Sequence, residues 1–256
     1  MTITLSAHFV LIHGAGYGGW CWYKIRCLLE STGQKVSCPD LSCSGIDLTD
    51  VDTIRSFQDY NKPLDDILAS LPEGEKVILV GHSAGGLSVT KAIQNFPDKI
   101  QVGVFIGAVM LRNGFQTEQD RKDGTPDLSV NSEVSNNVNP PPSAIYNKED
   151  QRKISCQMSP LEDCTLAKML QRTIPSGALS GAVFPEGKDS KSNNVPRVYI
   201  KTMHDNVFSR KQQDVMIKRW PPHDVYSIDS DHFPMFSNPS HLFGLLLRVA
   251  AKFECF

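Results

Sequence analysis

Gly81-His82-Ser83-Ala84-Gly85 decides the fold of this chain. The five residues fit the pattern G-x-S-x-G, and their flanks matter as much as the pattern. Lys76-Val77-Ile78-Leu79-Val80 leads into them as a short apolar, β-branched run, which reads as a buried strand. Leu87, Val89, Ala92, Ile93 and Phe96 follow at helical spacing until Pro97. A serine on a tight strand-to-helix turn is a nucleophile elbow. Such a turn crowds the backbone, so side chains in place of Gly81 and Gly85 would clash. The helix after it aims its first N–H groups at the serine, where negative charge develops. A glycine turn that matched the pattern by chance would lack this context.

Working outward, strand and helix signals alternate. Phe9 to Ile12 reads as a strand. Trp20 to Ser31 reads as a helix with Trp22, Ile25, Leu28 and Leu29 on one face, stopped by Gly33. Lys35 to Pro39 is a second strand and Asp40 to Asp50 a loop. Leu64, Ile67, Leu68 and Leu71 mark a helix that ends at Pro72, and a further strand covers Val102 to Ile106. Regular alternation breaks after Ala108 and resumes with a strand at Arg197 to Ile200. A helix at Arg210 to Trp220, a strand at Asp224 to Ile228 and a last helix from Asn238-Pro239 complete it. This order predicts an α/β fold, a mostly parallel sheet with helices on both faces.

The stretch from Met110 to about Asn194 is polar and rich in Gly, Pro, Asn and Asp. Its run Val138-Asn139-Pro140-Pro141-Pro142 fits neither a helix nor a central strand. One helix is expected inside it, Leu161 to Leu170. That helix and the scattered aromatics argue for a folded cap rather than a linker. The expected organisation is a core of residues 1–109 and 195–256, interrupted by a cap insertion at 110–194.

Bulk properties exclude several function classes. The 256 residues are 40% hydrophobic with a net charge of -2, so nothing points to nucleic acid or a membrane surface. The first eight residues hold no basic residue and no long apolar run, so no signal peptide is expected. The seven cysteines are odd in number and show no C-x-x-C spacing. Free thiols in a reducing cytosol, and no metal site, are the expectation.

A serine hydroxyl needs an adjacent base to attack. In this architecture the partners follow in the order serine, acid, histidine, each just past the C-terminal end of a strand. Asp205 and His232 satisfy both conditions. His241 lies within the last helix pattern and is set aside. Asp229 and Asp231 adjoin His232 too closely to orient the far side of its ring, so both read as loop-shaping. Asp214 reads as solvent-facing, His204 as a loop residue and His82 as packed beneath the turn. The candidate triad is therefore Ser83, Asp205 and His232. The backbone N–H groups of Ala15, in the loop His13-Gly14-Ala15-Gly16-Tyr17-Gly18-Gly19, and of Ala84 are the candidate oxyanion hole. His13 reads as structural, and the loop matches no phosphate-binding pattern.

Together these residues resemble the plant methylesterase family of α/β-hydrolases, which also includes the α-hydroxynitrile lyases. The likeness rests on Phe9-Val10-Leu11-Ile12-His13-Gly14, Trp20-Cys21-Trp22-Tyr23-Lys24, Pro39-Asp40-Leu41, the GHSAGG elbow, Phe96-Pro97-Asp98-Lys99-Ile100 and Ser230-Asp231-His232. It implies a sheet of about six strands, because the first two strands of the full hydrolase sheet are absent. It also implies a cofactor-free cytosolic enzyme that is often dimeric. In lyase members a threonine stands at the position of Gly14 and a lysine at that of Phe233. Neither residue here can play the lyase role, so the resemblance implies an esterase. Family members commonly carry histidine where this chain has Tyr17, so Gly14, Tyr17 and Phe233 are the candidate substrate-binding residues.

The resemblance is strongest to the branch acting on methyl indole-3-acetate, through His204-Asp205, Lys218 to Pro222 and Asp229 to His232. Other members cleave alkaloid and specialised-metabolite methyl esters, some of whose acids then lose CO₂. A carbon–carbon lyase and a non-catalytic ligand receptor on the same fold are the competing readings. The complete triad argues against a receptor, which needs a pocket but no relay.

Overall fold

The computed structural model describes residues 6–126, 132–134, 143–147, 149–184 and 191–255. The Val138 to Pro142 run lies outside them. Eight strands are present among the described residues: β1 His8–Ile12, β2 Lys35–Ser37, β3 Val77–His82, β4 Ile100–Ile106, β5 Ser132–Val134, β6 Ala144–Tyr146, β7 Arg197–Thr202 and β8 Asp224–Ile228. Six form one sheet in the order β2-β1-β3-β4-β7-β8, and every neighbouring pair is parallel. β5 and β6 form a separate antiparallel pair between β4 and β7 in the chain.

The central strands are continuously apolar because both faces of the sheet are covered. Alternate side chains go to opposite layers. Val10 and Ile12 of β1, with Leu79 of β3, pack with Leu64, Leu68, Val89 and Ile93 from the helices Phe57–Ser70 and Gly85–Asn95. Phe9, Leu11, Ile78 and Val80 face the other way, onto Ile25 and Leu29 of Tyr23–Ser31 and Leu242, Leu246 and Val249 of Pro239–Lys252.

Among the elements that differ from the sequence expectation are β2 and the helix marked by Leu64. β2 stops at Ser37, short of Pro39. The helix marked by Leu64 starts two turns earlier, at Phe57, where Ser56 and Asp59 cap each other reciprocally. Pro63 lies inside it and hid its beginning. A proline has no N–H to give the carbonyl four residues before it. Here that carbonyl, on Asp59, accepts from the Ser42 hydroxyl at 2.8 Å, so the loop after β2 docks onto the gap.

Between β4 and β7 lie the hairpin and short helices at Glu118–Gly124, Gln151–Ile154, Leu161–Leu170 and Ser176–Ser180. Arg172 and Ile174 of this segment sit on the loop after β1. The Arg172 N–H donates to the Gly16 carbonyl at 2.9 Å. A Cβ on Gly16 would stand 3.1 Å from Ile174.

Candidate active site

The backbone turns sharply where β3 ends. Ser83 holds φ +54°, a left-handed conformation that non-glycine residues seldom adopt, directly before the helix Gly85–Asn95. The close packing around it explains the glycines. A Cβ on Gly81 would stand 2.5 Å from the Gly85 carbonyl oxygen, and one on Gly85 2.7 Å from that of His13. The Ser83 carbonyl accepts from Gly86 N at 3.1 Å and Val109 N at 3.0 Å, which holds the strained turn on the sheet.

Asp205 sits in the turn after β7 and is 6% exposed. Its Oδ1 accepts from the N–H groups of Val207 and Phe208, both at 2.8 Å. Its Oδ2 accepts from the Thr202 hydroxyl at 2.7 Å and pairs with His232 Nδ1 at 2.8 Å. The sheet places β7 beside β8, which brings Asp205 to the loop that carries His232. Ser83 and His232 line one cavity.

His232 is braced by two groups whose role the sequence did not disclose. His82 Nε2 donates to the His232 carbonyl at 2.7 Å. Burial, then the nearby His232, drives the pKa of His82 well below the ordinary histidine value, so it stays neutral. Its Nδ1 has no partner among the described residues. Asp231 is fully buried. Its Oδ2 accepts from Met158 N at 2.9 Å, Ser159 N at 2.7 Å and the Ser159 hydroxyl at 2.8 Å, and its Oδ1 from Phe233 N at 3.0 Å. One carboxylate thus ties the segment above the sheet to the histidine loop. Asp231→Ala would strand three buried donors, the Ser159 N–H and hydroxyl and the Phe233 N–H, and should cost about 3 kcal/mol of stability. Urea unfolding checks this, and a loss below about 1 kcal/mol would contradict the clamp.

The rival residues His204, Asp214 and Asp229 lie apart from the cavity. His204 Nε2 meets Asp229 at 2.6 Å, with both side chains more than half exposed. Asp214 pairs with Lys201 on the surface.

The loop after β1 supplies the remaining wall. His13 is buried, donating from Nδ1 to the Gly14 carbonyl at 2.8 Å and accepting at Nε2 from Leu41 N at 3.1 Å. Tyr17 N also donates to that carbonyl, at 3.2 Å. In a trans peptide the N–H points away from the C=O. Two bonds on the Gly14 carbonyl therefore set the direction of the Ala15 N–H. Neither Ala15 N nor Ala84 N makes a backbone hydrogen bond among the described residues, so both remain available to an oxyanion. A Cβ on Gly14 would stand 3.0 Å from Ser83 Cβ, so a larger residue there would press on the serine.

Gly14, Ala15, Tyr17, Ser83, His232 and Phe233 all line the cavity. The Tyr17 ring lies 4.7 Å from that of Phe233 and stacks on Trp20 at 5.5 Å. The sequence reading missed Tyr146, Asn147, Gln151, Ile154, Ser155 and Val207, which with His82 complete the lining. No local pattern marks them, because most belong to the irregular segment between β4 and β7.

The profile of the alpha/beta hydrolase family matches residues 9–243. The chain is 54% identical to Methylesterase 17 of Arabidopsis thaliana, over 96% of this chain and 92% of the relative. It is similar to the crystal structure of the methylesterase protein MES16 from Arabidopsis, with TM-score 0.85 and 38% identity over 96% of this chain and 99% of that one. Polyneuridine aldehyde esterase matches with TM-score 0.86 and 34% identity over 96% of this chain and 99% of that one.

Proposed function

Because the chain belongs to the plant methylesterase family of α/β-hydrolases and is a carboxylic ester hydrolase, we propose that it cleaves the methyl ester of a small plant carboxylic acid. Methyl indole-3-acetate is the favoured substrate, since the relative at 54% identity is a methylesterase and the His204-Asp205 and Asp229 to His232 segments resemble that branch. One observation carries the reading. Asp205 and His232 pair at 2.8 Å, and His232 shares a cavity with a serine at φ +54°.

In the proposed mechanism, His232 Nε2 takes the proton of Ser83 as Oγ attacks the ester carbonyl. The N–H groups of Ala15 and Ala84 hold the oxyanion. The proton passes to the methoxy oxygen and methanol leaves. Water activated by His232 then releases the acid from Ser83. Asp205 holds Nδ1–H throughout, so that Nε2 remains the base.

Cyanohydrin cleavage would need a cation for departing cyanide and a hydroxyl to hold the substrate. Phe233 and Gly14 supply neither. With methyl indole-3-acetate, methanol and acid should form in equal amounts, and mandelonitrile should yield no cyanide above background. Ser83-dependent cyanide release with methyl esters untouched would overturn the esterase reading. We place the enzyme in the cytosol, working without a cofactor, and a homodimer is its candidate assembly because members of the family it resembles are often dimeric. No described helix is long and apolar enough to cross a membrane.

A further inference from the structure

The cavity holds a polar side chain that ester cleavage does not use. Gln151 begins the helix Gln151–Ile154, lines the cavity and is 5% exposed. Its Nε2 donates to the Tyr17 hydroxyl at 2.5 Å. Tyr17 is wedged between the Trp20 and Phe233 rings, so this contact fixes where the amide group sits. The other end of the amide, Oε1, is buried and has no partner among the described residues. A buried carbonyl oxygen without a donor is rare in folded proteins and costs stability. It marks a place where a ligand can supply what the protein does not.

The ester's own chemistry narrows what that ligand group can be. Both oxygens of a methyl ester are acceptors, so the reacting group cannot satisfy Oε1. The donor must sit on the acid portion. The neighbouring walls are apolar and largely aromatic, formed by Tyr17, Tyr146, Ile154, Val207 and Phe233. They suit a flat ring. A hydroxyl would bring lone pairs that need donors of their own, whereas a ring N–H brings a single donor and leaves nothing unpaired. Among the described residues, the other buried acceptor without a partner that lines the cavity, His82 Nδ1, lies at the reacting end, 3.2 Å from where a Cβ on Gly14 would stand.

We infer that Gln151, positioned by Tyr17, determines specificity by accepting at Oε1 a hydrogen bond from a ring N–H on the acid portion of the ester. This rests on the proposal that the Ser83 cavity binds the ester.

The test compares methyl indole-3-acetate with methyl 1-benzofuran-3-acetate, which keeps the shape and replaces the ring N–H with oxygen. kcat/KM is measured for the wild type, Gln151→Leu and Gln151→Met. Dissociation constants for both esters are measured by calorimetry on the Ser83→Ala protein, with and without each Gln151 change. The wild type and the Ser83→Ala protein should favour the indole ester by about tenfold. Both Gln151 variants should reduce that preference to within about twofold. A preference that survives both substitutions, a wild type with no preference, or one favouring the benzofuran would overturn the inference. If no methyl ester is turned over, the proposed function fails, and the calorimetric comparison still decides the role of Gln151. Circular dichroism and fluorophosphonate labelling of Ser83 confirm folding, and the Met variant carries the test if the Leu variant does not fold.

Discussion

Ser83→Ala should abolish ester hydrolysis, with turnover falling roughly 10⁶-fold, while the protein remains folded. The size of the effect follows from the proposed mechanism. Without Oγ no acyl-enzyme forms, and His232 has no nucleophile placed within reach. What remains is water attacking an ester held by the oxyanion N–H groups, a small residue of the original catalysis. The fold should persist because the elbow depends on backbone contacts. The Ser83 carbonyl keeps its bonds from Gly86 N and Val109 N, and the crowding around Gly81 and Gly85 is unchanged. Alanine must still adopt φ +54°, so a small loss of stability is expected. Single-turnover assays and circular dichroism together read both halves. A variant keeping a tenth of the wild-type rate would remove Ser83 from the mechanism.

Asp205→Asn should lower kcat/KM by about 10⁴-fold through the histidine's tautomer. All four hydrogen bonds on Asp205 are accepted ones, two on each oxygen. An asparagine must present an NH₂ group on one side. Facing Val207 and Phe208, it would meet two N–H donors that the backbone cannot turn away. The amide therefore places its oxygen there and its NH₂ towards Thr202 and His232. The Thr202 hydroxyl can rotate and accept. His232 Nδ1 can accept only by giving up its hydrogen, which moves the proton to Nε2. Nε2 then cannot take the serine proton. Steady-state kinetics on a methyl ester check the loss, and a decrease of less than tenfold would show that Asp205 does not set the tautomer.

Much of the fold was legible in the residues because its signals are local. Strand, turn and helix around Ser83 are consecutive, and β8 and the helix Leu161–Leu170 match their expected bounds. The order serine, acid, histidine made Asp205 and His232 candidates because strand ends in a parallel sheet converge on one edge. Pro63 shows where local reading fails. Its place inside a helix rests on a distant residue, Ser42, which takes up the carbonyl it leaves free.

The amino-acid sequence by itself determined the parallel core, the elbow and the identity of the candidate triad, because each rests on spacing within a few residues or on chain order. Only the tertiary structure decided how the candidate site is held. The Asp231 clamp on residues 158–159, the His82 brace on the His232 carbonyl and the Tyr17–Gln151 pair join residues 72 or more positions apart. No periodicity records such contacts. They exist because the segment between β4 and β7 packs onto the strand ends, where buried donors and acceptors must find each other or remain unpaired.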